Sequence, residues 1–290
     1  MNHRIGLLLS YHYYQRMSLS QALEGTYPGL PVMLDSGAFS AASLGVEIDL
    51  DKYGRWARTN GGKNVCAINL DVIGDATRSR LNLTRLSRYG DFMPVVHVGS
   101  PQDDIDRYVD RGHKYIGLGG MVPYLCQDKK GGREMLIRWM SDSHERATKL
   151  GVHLHGLGCT TWDLVLRFPW YSVDSSFHNA GIRFGASSVW DRPNHRWHKI
   201  TIRDAGSIMP VADTLRSYGV NPWPLLHDSP DTNGQLLATS VESVRAWQED
   251  KKETPIIYMA EGYYGHTAFL ANRITGGTSE LIPKWAEGLT

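Results

Sequence analysis

Five polar side chains and a pair of glycines stand where short apolar runs end. Asp35 follows Met33-Leu34, Asp71 follows Asn69-Leu70 and Asp174 follows Ser172-Val173. His97 lies within Val95-Val96-His97-Val98-Gly99, His155 within His153-Leu154-His155-Gly156, and Gly119-Gly120 follows Gly117-Leu118. Carboxylates and imidazoles are the groups that attack electrophilic carbon and carry protons. If the runs are strands of one parallel barrel, these ends converge on one mouth, because such barrels build their active sites at the C-terminal ends of the strands. Taken singly, each aspartate is better explained as a cap of the helix that follows, since a strand-end Asp is more often a cap than a catalyst. Convergence of three carboxylates and two imidazoles is harder to explain by capping.

Other motifs are weaker. Gly119, Gly120, Gly156 and Gly158 remove side chains where a flat ligand would approach the backbone. Gly156-Leu157-Gly158-Cys159-Thr160-Thr161 is half of a dinucleotide fingerprint without its third glycine and reads as a tight turn. His195 and His198 are spaced HxxH with no run of carboxylates beside them, so they read as ordinary loop histidines. Cys159 reads as a small buried thiol rather than a nucleophile. The three cysteines, Cys66, Cys126 and Cys159, form no CxxC pair, which argues against a disulfide framework and a thiolate zinc cage and fits a reducing cytoplasm. No metal site and no cofactor is expected.

The elements that must position these residues follow from the pattern. The 290 residues, 41% hydrophobic and 21% charged, are enough for one large folded domain. A formal charge of +1 gives no global basic field, so a polyanionic partner must be held by a local patch. The first apolar run, Ile5 to Leu9, is too short for a signal peptide core, and no segment has the length of a membrane span. Short apolar runs at Ile5–Ser10, Pro31–Leu34, Val65–Leu70, Met93–Val98, Tyr115–Leu118, Val152–Leu157 and Tyr171–Val173 alternate with amphipathic segments; Ile182–Ala186 supplies an eighth run. Helices are expected from Ser100-Pro101 to Gly112, from Gly131 or Gly132 to Leu150, and over Leu236–Trp247, the last closing the fold. Residues 187–234 read as an irregular insertion or extended loop. The expected fold is α/β, a single (β/α)8 TIM barrel over residues 1–290 with that insertion after strand 7 or 8; a doubly wound open sheet is the alternative.

Asp35-Ser36-Gly37-Ala38-Phe39 resembles the Asp-Ser-Gly-Gly-Phe motif of the tRNA-guanine transglycosylases, barrels that exchange a guanine base for a 7-deazaguanine. Five further segments are similar in order: Asn69-Leu70-Asp71, Val96-His97-Val98-Gly99 with histidine in place of glutamine, Tyr115-Ile116-Gly117-Leu118-Gly119-Gly120-Met121, His153-Leu154-His155-Gly156-Leu157-Gly158 and Ser172-Val173-Asp174-Ser175. The resemblance covers residues 31 to 185 and implies a role for each. Asp174 would be the nucleophile on the sugar carbon and Asp35 the acid/base. Asp71 would accept from the purine N1-H and amino edge, and Gly119 and Gly120 would offer backbone N-H groups to its carbonyl. His97 and His155 would be wall or donor residues, and Ser36 and Gly37 would line the base site. The family's Cys-x-Cys-x-x-Cys and histidine zinc site has no counterpart here, and the chain has no room for an appended RNA-binding domain. Those departures are similar to the compact phage and bacterial relatives that insert 7-deazaguanines, such as preQ0, into DNA. DNA is therefore the favoured polymer and tRNA the second. A second copy of the chain or a partner protein stays open as a companion.

A sugar carbon inside a stacked duplex is out of reach, so the nucleotide must be flipped out or already single-stranded. Arg183, Arg192, His195, Arg196, Trp197, His198 and Lys199 form the stretch best suited to phosphate contact and base stacking, against a solvated loop as the plainer reading. Two other classes stay in view: a barrel hydrolase of N- or O-glycosides, which also needs two carboxylates, and a non-enzymatic nucleic-acid-binding barrel.

Overall fold

The protein is described from a computed structural model, over residues 4–38, 44–72, 74–101, 103–126, 131–159, 161–251, 253–261 and 264–276. Phe39, the last residue of the first motif, lies outside them. Nine parallel strands form one sheet: β1 (Ile5–Ser10), β2 (Val32–Asp35), β3 (Val65–Ile68), β4 (Phe92–Met93), β5 (Val95–His97), β6 (Tyr115–Gly119), β7 (His153–Gly156), β8 (Ser172–Ser175) and β11 (Ile256–Glu261), hydrogen-bonded in the order β4-β3-β2-β1-β11-β8-β7-β6-β5. The two ends of that order, β4 and β5, are one stretch of chain divided only by Pro94. Proline has no N–H to give a ladder, but its carbonyl still accepts. The Gly117 N–H donates to Pro94 O at 2.8 Å, and the Asn69 N–H donates to Met93 O at 2.9 Å on the other side. The sheet thus closes into an eight-stranded (β/α)8-like barrel.

The pleat decides what faces inward. Leu8, Met33, Ile68, Met93, Val95 and Tyr258 fill the barrel interior, while Leu7, Leu9, Val32, Leu34, Ile116, Leu118 and Leu154 pack outward under the helices. Both faces are covered, so the strands read as short apolar runs with little alternation. The interior narrows around large side chains, and glycines make the room: a Cβ at Gly6 would lie 2.7 Å from the Tyr258 ring, and one at Gly117 would lie 2.9 Å from Leu157.

Two expectations are corrected. The eighth strand is not Ile182–Ala186: residues 177–184 are a helix stopped by Gly185 in the left-handed conformation, and Ile256–Glu261 closes the barrel between β8 and β1. The helix expected over Leu236–Trp247 runs from Thr232 to Asp250 and delivers the chain to that strand. The insertion expected over 187–234 is present, following β8, the seventh strand of the barrel, but it is not an irregular loop. An antiparallel hairpin, β9 (Ala186–Asp191) with β10 (Arg196–Thr201), and short helices at Ala205–Ile208, Ala212–Ser217 and Pro222–His227 enclose Val189, Ile200, Ile208, Val211, Leu215, Val220 and Leu225 as a second core. The helix expected from Ser100-Pro101 begins later and spans Asp103–Asp110, and the one at Gly132–Leu150 stands as read, ended by Gly151 at φ +64. Among the described residues no helix is long and apolar enough to cross a membrane.

The closing strand gives a direct test. Met259 is fully buried on β11, whereas Leu166 is 57% exposed. Met259→Ala is expected to lower unfolding free energy by about 2–5 kcal/mol in denaturant titrations, and Leu166→Ala to stay within about 0.5 kcal/mol of wild type. Equal small losses would place 256–261 outside the barrel core.

Candidate active site at the barrel mouth

Asp35, Asp71 and Asp174 do meet at the C-terminal ends of the strands. Each is held by a different device. The Tyr53 hydroxyl, buried on the helix Leu50–Thr59, reaches the carbonyls of Leu34 (3.0 Å) and Ile68 and so ties the ends of β2 and β3 together. Beyond Leu34, the Asp35 carboxylate turns back to accept the Gly37 N–H at 2.7 Å. Gly37 sits at φ +76, and a Cβ there would lie 2.2 Å from Ser10 Oγ and 2.6 Å from His12 Cβ, so only glycine fits this turn. Ser36 is fully buried. Ser36 and Gly37 therefore shape the Asp35 loop, the Ser36 hydroxyl accepting from the Ala38 N–H at 3.3 Å.

After β3, Asn69 donates from Nδ2 to Ser79 O (2.9 Å) and Asn82 donates to Leu70 O (2.8 Å), which fixes the loop to the next helix. Asp71 projects from that loop to the neighbouring strand, where its Oδ2 lies 2.6 Å from His97 Nε2. The helix at Ala76–Leu86 is capped instead by Asp75, which accepts from the Arg78 N–H at 2.8 Å. The capping explanation of Asp71 is thereby removed. The His97 ring occupies the space over β6: a Cβ at Gly119 would come within 2.9 Å of it. Gly119 is thus explained by the histidine, and Gly120, at φ +74, by a left-handed turn of the chain.

Asp174 is 8% exposed and accepts two hydrogen bonds on one oxygen, Oδ1: from the Gly158 N–H at 2.9 Å and from His155 Nε2 at 3.1 Å. Gly158, at φ +63, brings its amide round from the turn after β7. The helix that follows β8 begins after Ser176 with no side-chain cap, so Asp174 is not a cap either.

Crowding has a chemical result. Burial first, then the charge of Asp71, then that of Asp174, push the Asp35 carboxyl up to about 7, although the Gly37 and Ser36 amides pull the other way. A carboxylic acid that keeps its proton near neutrality stands beside two carboxylates that serve as acceptors. That is the arrangement in which one group gives up a proton and another attacks.

The structure separates the tip of the β9–β10 hairpin from this mouth. Arg192 pairs with Glu249 and Asp250 (2.8 Å each), Trp190 donates to Asp250, and Gln248 in the same turn donates to the carbonyls of Arg4 and Pro255, where β1 and β11 begin. The tip of the β9–β10 hairpin therefore lies at the opposite end of the barrel. Arg196 is 3.6 Å from Asp191, and Trp197 stacks on Trp162 at 4.2 Å and meets Trp190 and Trp247. Lys199 is exposed along the hairpin, and Arg183 is exposed over the Phe184 ring. His198 bonds Ser207 O, and among the described residues no group of three His, Cys, Asp or Glu is gathered that could hold a metal ion. Cys159 is buried, and burial pushes its thiol up to about 12, which suits packing rather than attack.

Sequence reading passed over Ser172, Tyr115 and His12. Ser172 Oγ lies 2.6 Å from His155 Nδ1 and also contacts the Tyr115 hydroxyl; it stands two residues before Asp174, so strand periodicity alone puts both on the inner face. His12, in the turn after β1, backs onto Gly37 beside the exposed ring of Tyr13 at 4.9 Å. Comparison of the chain with protein-family models, with curated proteins and with solved structures finds no match in any of the three.

A titration tests the protonation of Asp35. Its folded-state value, about 7, lies above the ordinary 3.8, so the native protein holds a proton that the unfolded chain has released between those values. The stabilising contribution is complete below the lower value and is lost as pH rises through the upper. Thermal midpoints measured from pH 4 to 8 should show Asp35→Asn, neutral throughout, gaining on wild type as pH rises and levelling off above about 7. Parallel profiles for the two proteins would show that Asp35 is ionised across the range.

Proposed function

We propose that the protein is a base-exchange glycosyltransferase that replaces guanine in a polynucleotide with a 7-deazaguanine through a covalent aspartyl-glycosyl intermediate. One arrangement carries the reading: three aspartates gathered at the mouth of a barrel, with the Asp35 carboxyl pushed up to about 7 by desolvation and by the charges of Asp71 and Asp174. Exchanging a base without cutting the backbone breaks one N-glycosidic bond and remakes another at the same sugar carbon. Two displacements on that carbon return the original configuration, and they require a nucleophile and a proton carrier.

The residues fit those roles. Asp174, anchored through Oδ1, attacks the anomeric carbon; the bond to the purine breaks, and the proton of Asp35 goes to the departing base. The incoming base then returns a proton to Asp35, attacks the same carbon and releases the Asp174 carboxylate. Asp71, oriented by His97, accepts from the N1-H and amino edge that guanine and 7-deazaguanine share and adenine lacks. The six motif segments support the family assignment, and the missing cysteine zinc motif favours DNA over tRNA. With the hairpin tip at the far end of the barrel, the flipped nucleotide is gripped in this reading by the loops around the carboxylates, where His12 and Tyr13 stand.

Incubation with radiolabelled guanine and either DNA or tRNA tests the reading. Label entering the polymer, with DNA ahead of tRNA, is the expected result. Release of free base without incorporation would instead mark a glycoside hydrolase, and binding without chemistry a nucleic-acid-binding module. Asp174→Asn should abolish incorporation and the denaturant-stable protein–nucleic acid adduct without loss of fold; exchange at the normal rate would remove Asp174 as nucleophile.

Base choice tests Asp71 separately. Asp71→Asn places a half-donor amide against a purine donor, at a cost of about 1–3 kcal/mol, so the preference for guanine over hypoxanthine should shrink by about tenfold or more in competition. An unchanged preference would take Asp71 out of the base site.

A further inference from the structure

Behind Asp174 runs a chain of buried hydroxyls and one imidazole. His155 on β7 is in register with Ser172 on β8, and Tyr115 reaches both from β6. Tyr115 Oη contacts Ser172 Oγ, Ser172 Oγ lies 2.6 Å from His155 Nδ1, and His155 Nε2 lies 3.1 Å from Asp174 Oδ1. His155 and Ser172 have no exposed surface, and the imidazole is wedged edge-on between Tyr115 at 6.1 Å and Tyr258 at 5.9 Å. These are the residue types of a Ser-His-Asp hydrolase triad arranged backwards. In that triad the serine faces the substrate and the aspartate is buried behind the histidine. Here the serine is sealed inside the barrel, bonded on both sides, and the aspartate is at the open end. Ser172 cannot reach a substrate; Asp174 can.

Hydrogen-bond chemistry gives the chain one direction. A carboxylate only accepts, so His155 must donate from Nε2 to Asp174. In the neutral ring Nδ1 is then the acceptor and requires a donor, which the Ser172 hydroxyl supplies. The serine oxygen in turn accepts from Tyr115, whose phenol burial pushes well above its ordinary range and so keeps as a donor. Every member has one role, and no member can reverse without leaving a buried polar atom unmatched.

We infer that Tyr115 and Ser172 are positioning residues that lock His155 in its Nε2–H tautomer, so that Asp174 is held through Oδ1 with its other oxygen turned to the anomeric carbon. The inference rests on the proposed function only for its effect on rate; the tautomer is a property of the folded protein itself. It assigns to three strands a task that the acid/base pair alone leaves undone, namely aiming the nucleophile.

The test uses the full chain labelled with 15N at histidine. Long-range nitrogen–proton correlation spectra of wild type should show His155 as the Nε2–H tautomer. Ser172→Ala, which leaves Nδ1 without its donor while Nε2–H stays on Asp174, should shift the ring toward the doubly protonated form, and Tyr115→Phe, a smaller change that removes only the hydroxyl, should do so in part. Base exchange should fall about tenfold in kcat in Tyr115→Phe with KM unchanged, the loss of one hydrogen bond acting in the transition state. An Nδ1–H tautomer in wild type would overturn the inference, as would an unchanged tautomer and rate in Tyr115→Phe. If wild type exchanges no base, the proposed function fails, and the tautomer in wild type and Tyr115→Phe still decides the lock.

Discussion

Like charges repel, and a closed barrel leaves them no way to move apart. Two carboxylates about 4 Å from each other repel by about 4 kcal/mol at an effective dielectric of about 20, and burial adds a desolvation cost to each. Asp35, Asp71 and Asp174 end three strands of one ring, so the site is built around relieving that repulsion in three ways. Asp71 takes an imidazole on one oxygen, Asp174 takes an imidazole and a backbone amide, and Asp35 keeps its proton. The two histidines of the site each serve a different carboxylate, His97 on β5 beside Asp71 and His155 on β7 beside Asp174. The acid is the carboxyl group for which no histidine is left.

Those histidines in turn explain the glycines. On β6 the inward positions are Tyr115, Gly117 and Gly119, a large residue at the bottom and none above it. A Cβ at Gly119 would strike the His97 ring, and one at Gly117 would strike Leu157. The glycine-rich strand is the vacancy into which neighbouring strands lean their side chains. It brings His97 within reach of Asp71 from one side, while Tyr115 at its lower end reaches across to Ser172 on the other. One strand thereby supports both halves of the site, by lacking side chains above and by supplying a hydroxyl below.

How much of this was legible in the sequence depends on periodicity. Seven strands and the two long helices followed from apolar runs and helix-end glycines, and the strand-end rule found Asp35, Asp71, His97, His155 and Asp174. Their partnerships were not legible, since no spacing in the chain reveals that Asp71 reaches His97 twenty-six residues away. Ser172 was within reach of the same rule but looked like an ordinary strand serine, because its meaning comes from Tyr115 and His155 on other strands. The strand at Ile256–Glu261 was missed for a different reason. It follows a long helix that itself follows a small second core, and that intervening hairpin and helices broke the strand–helix rhythm that made the other seven visible. Ile182–Ala186 took its place because a helix end and a hairpin start, read together, are apolar.

The second core also separates charge from chemistry. Cationic and aromatic residues in Asp191 to Lys199 suggest a polyanion grip by composition; His195, Arg196 and Lys199 are exposed, whereas Arg192, Trp197 and His198 are engaged by partners within the protein. Arg192 neutralises the carboxylates at the end of the Thr232–Asp250 helix, and Trp197 completes a cluster with Trp162, Trp190 and Trp247 that clamps the hairpin to the barrel wall. With a formal charge of +1 spread over the chain, little is left to bind a duplex by its backbone alone. Under the proposed exchange reaction, recognition at the mouth would rest on the base more than on the phosphates, with the carboxylate edge of Asp71 meeting a flipped nucleotide before Asp174 meets its sugar. On that proposed reading, selection would lie in the base presented to the carboxylates, and affinity for polymer without an exchangeable base is expected to be weak.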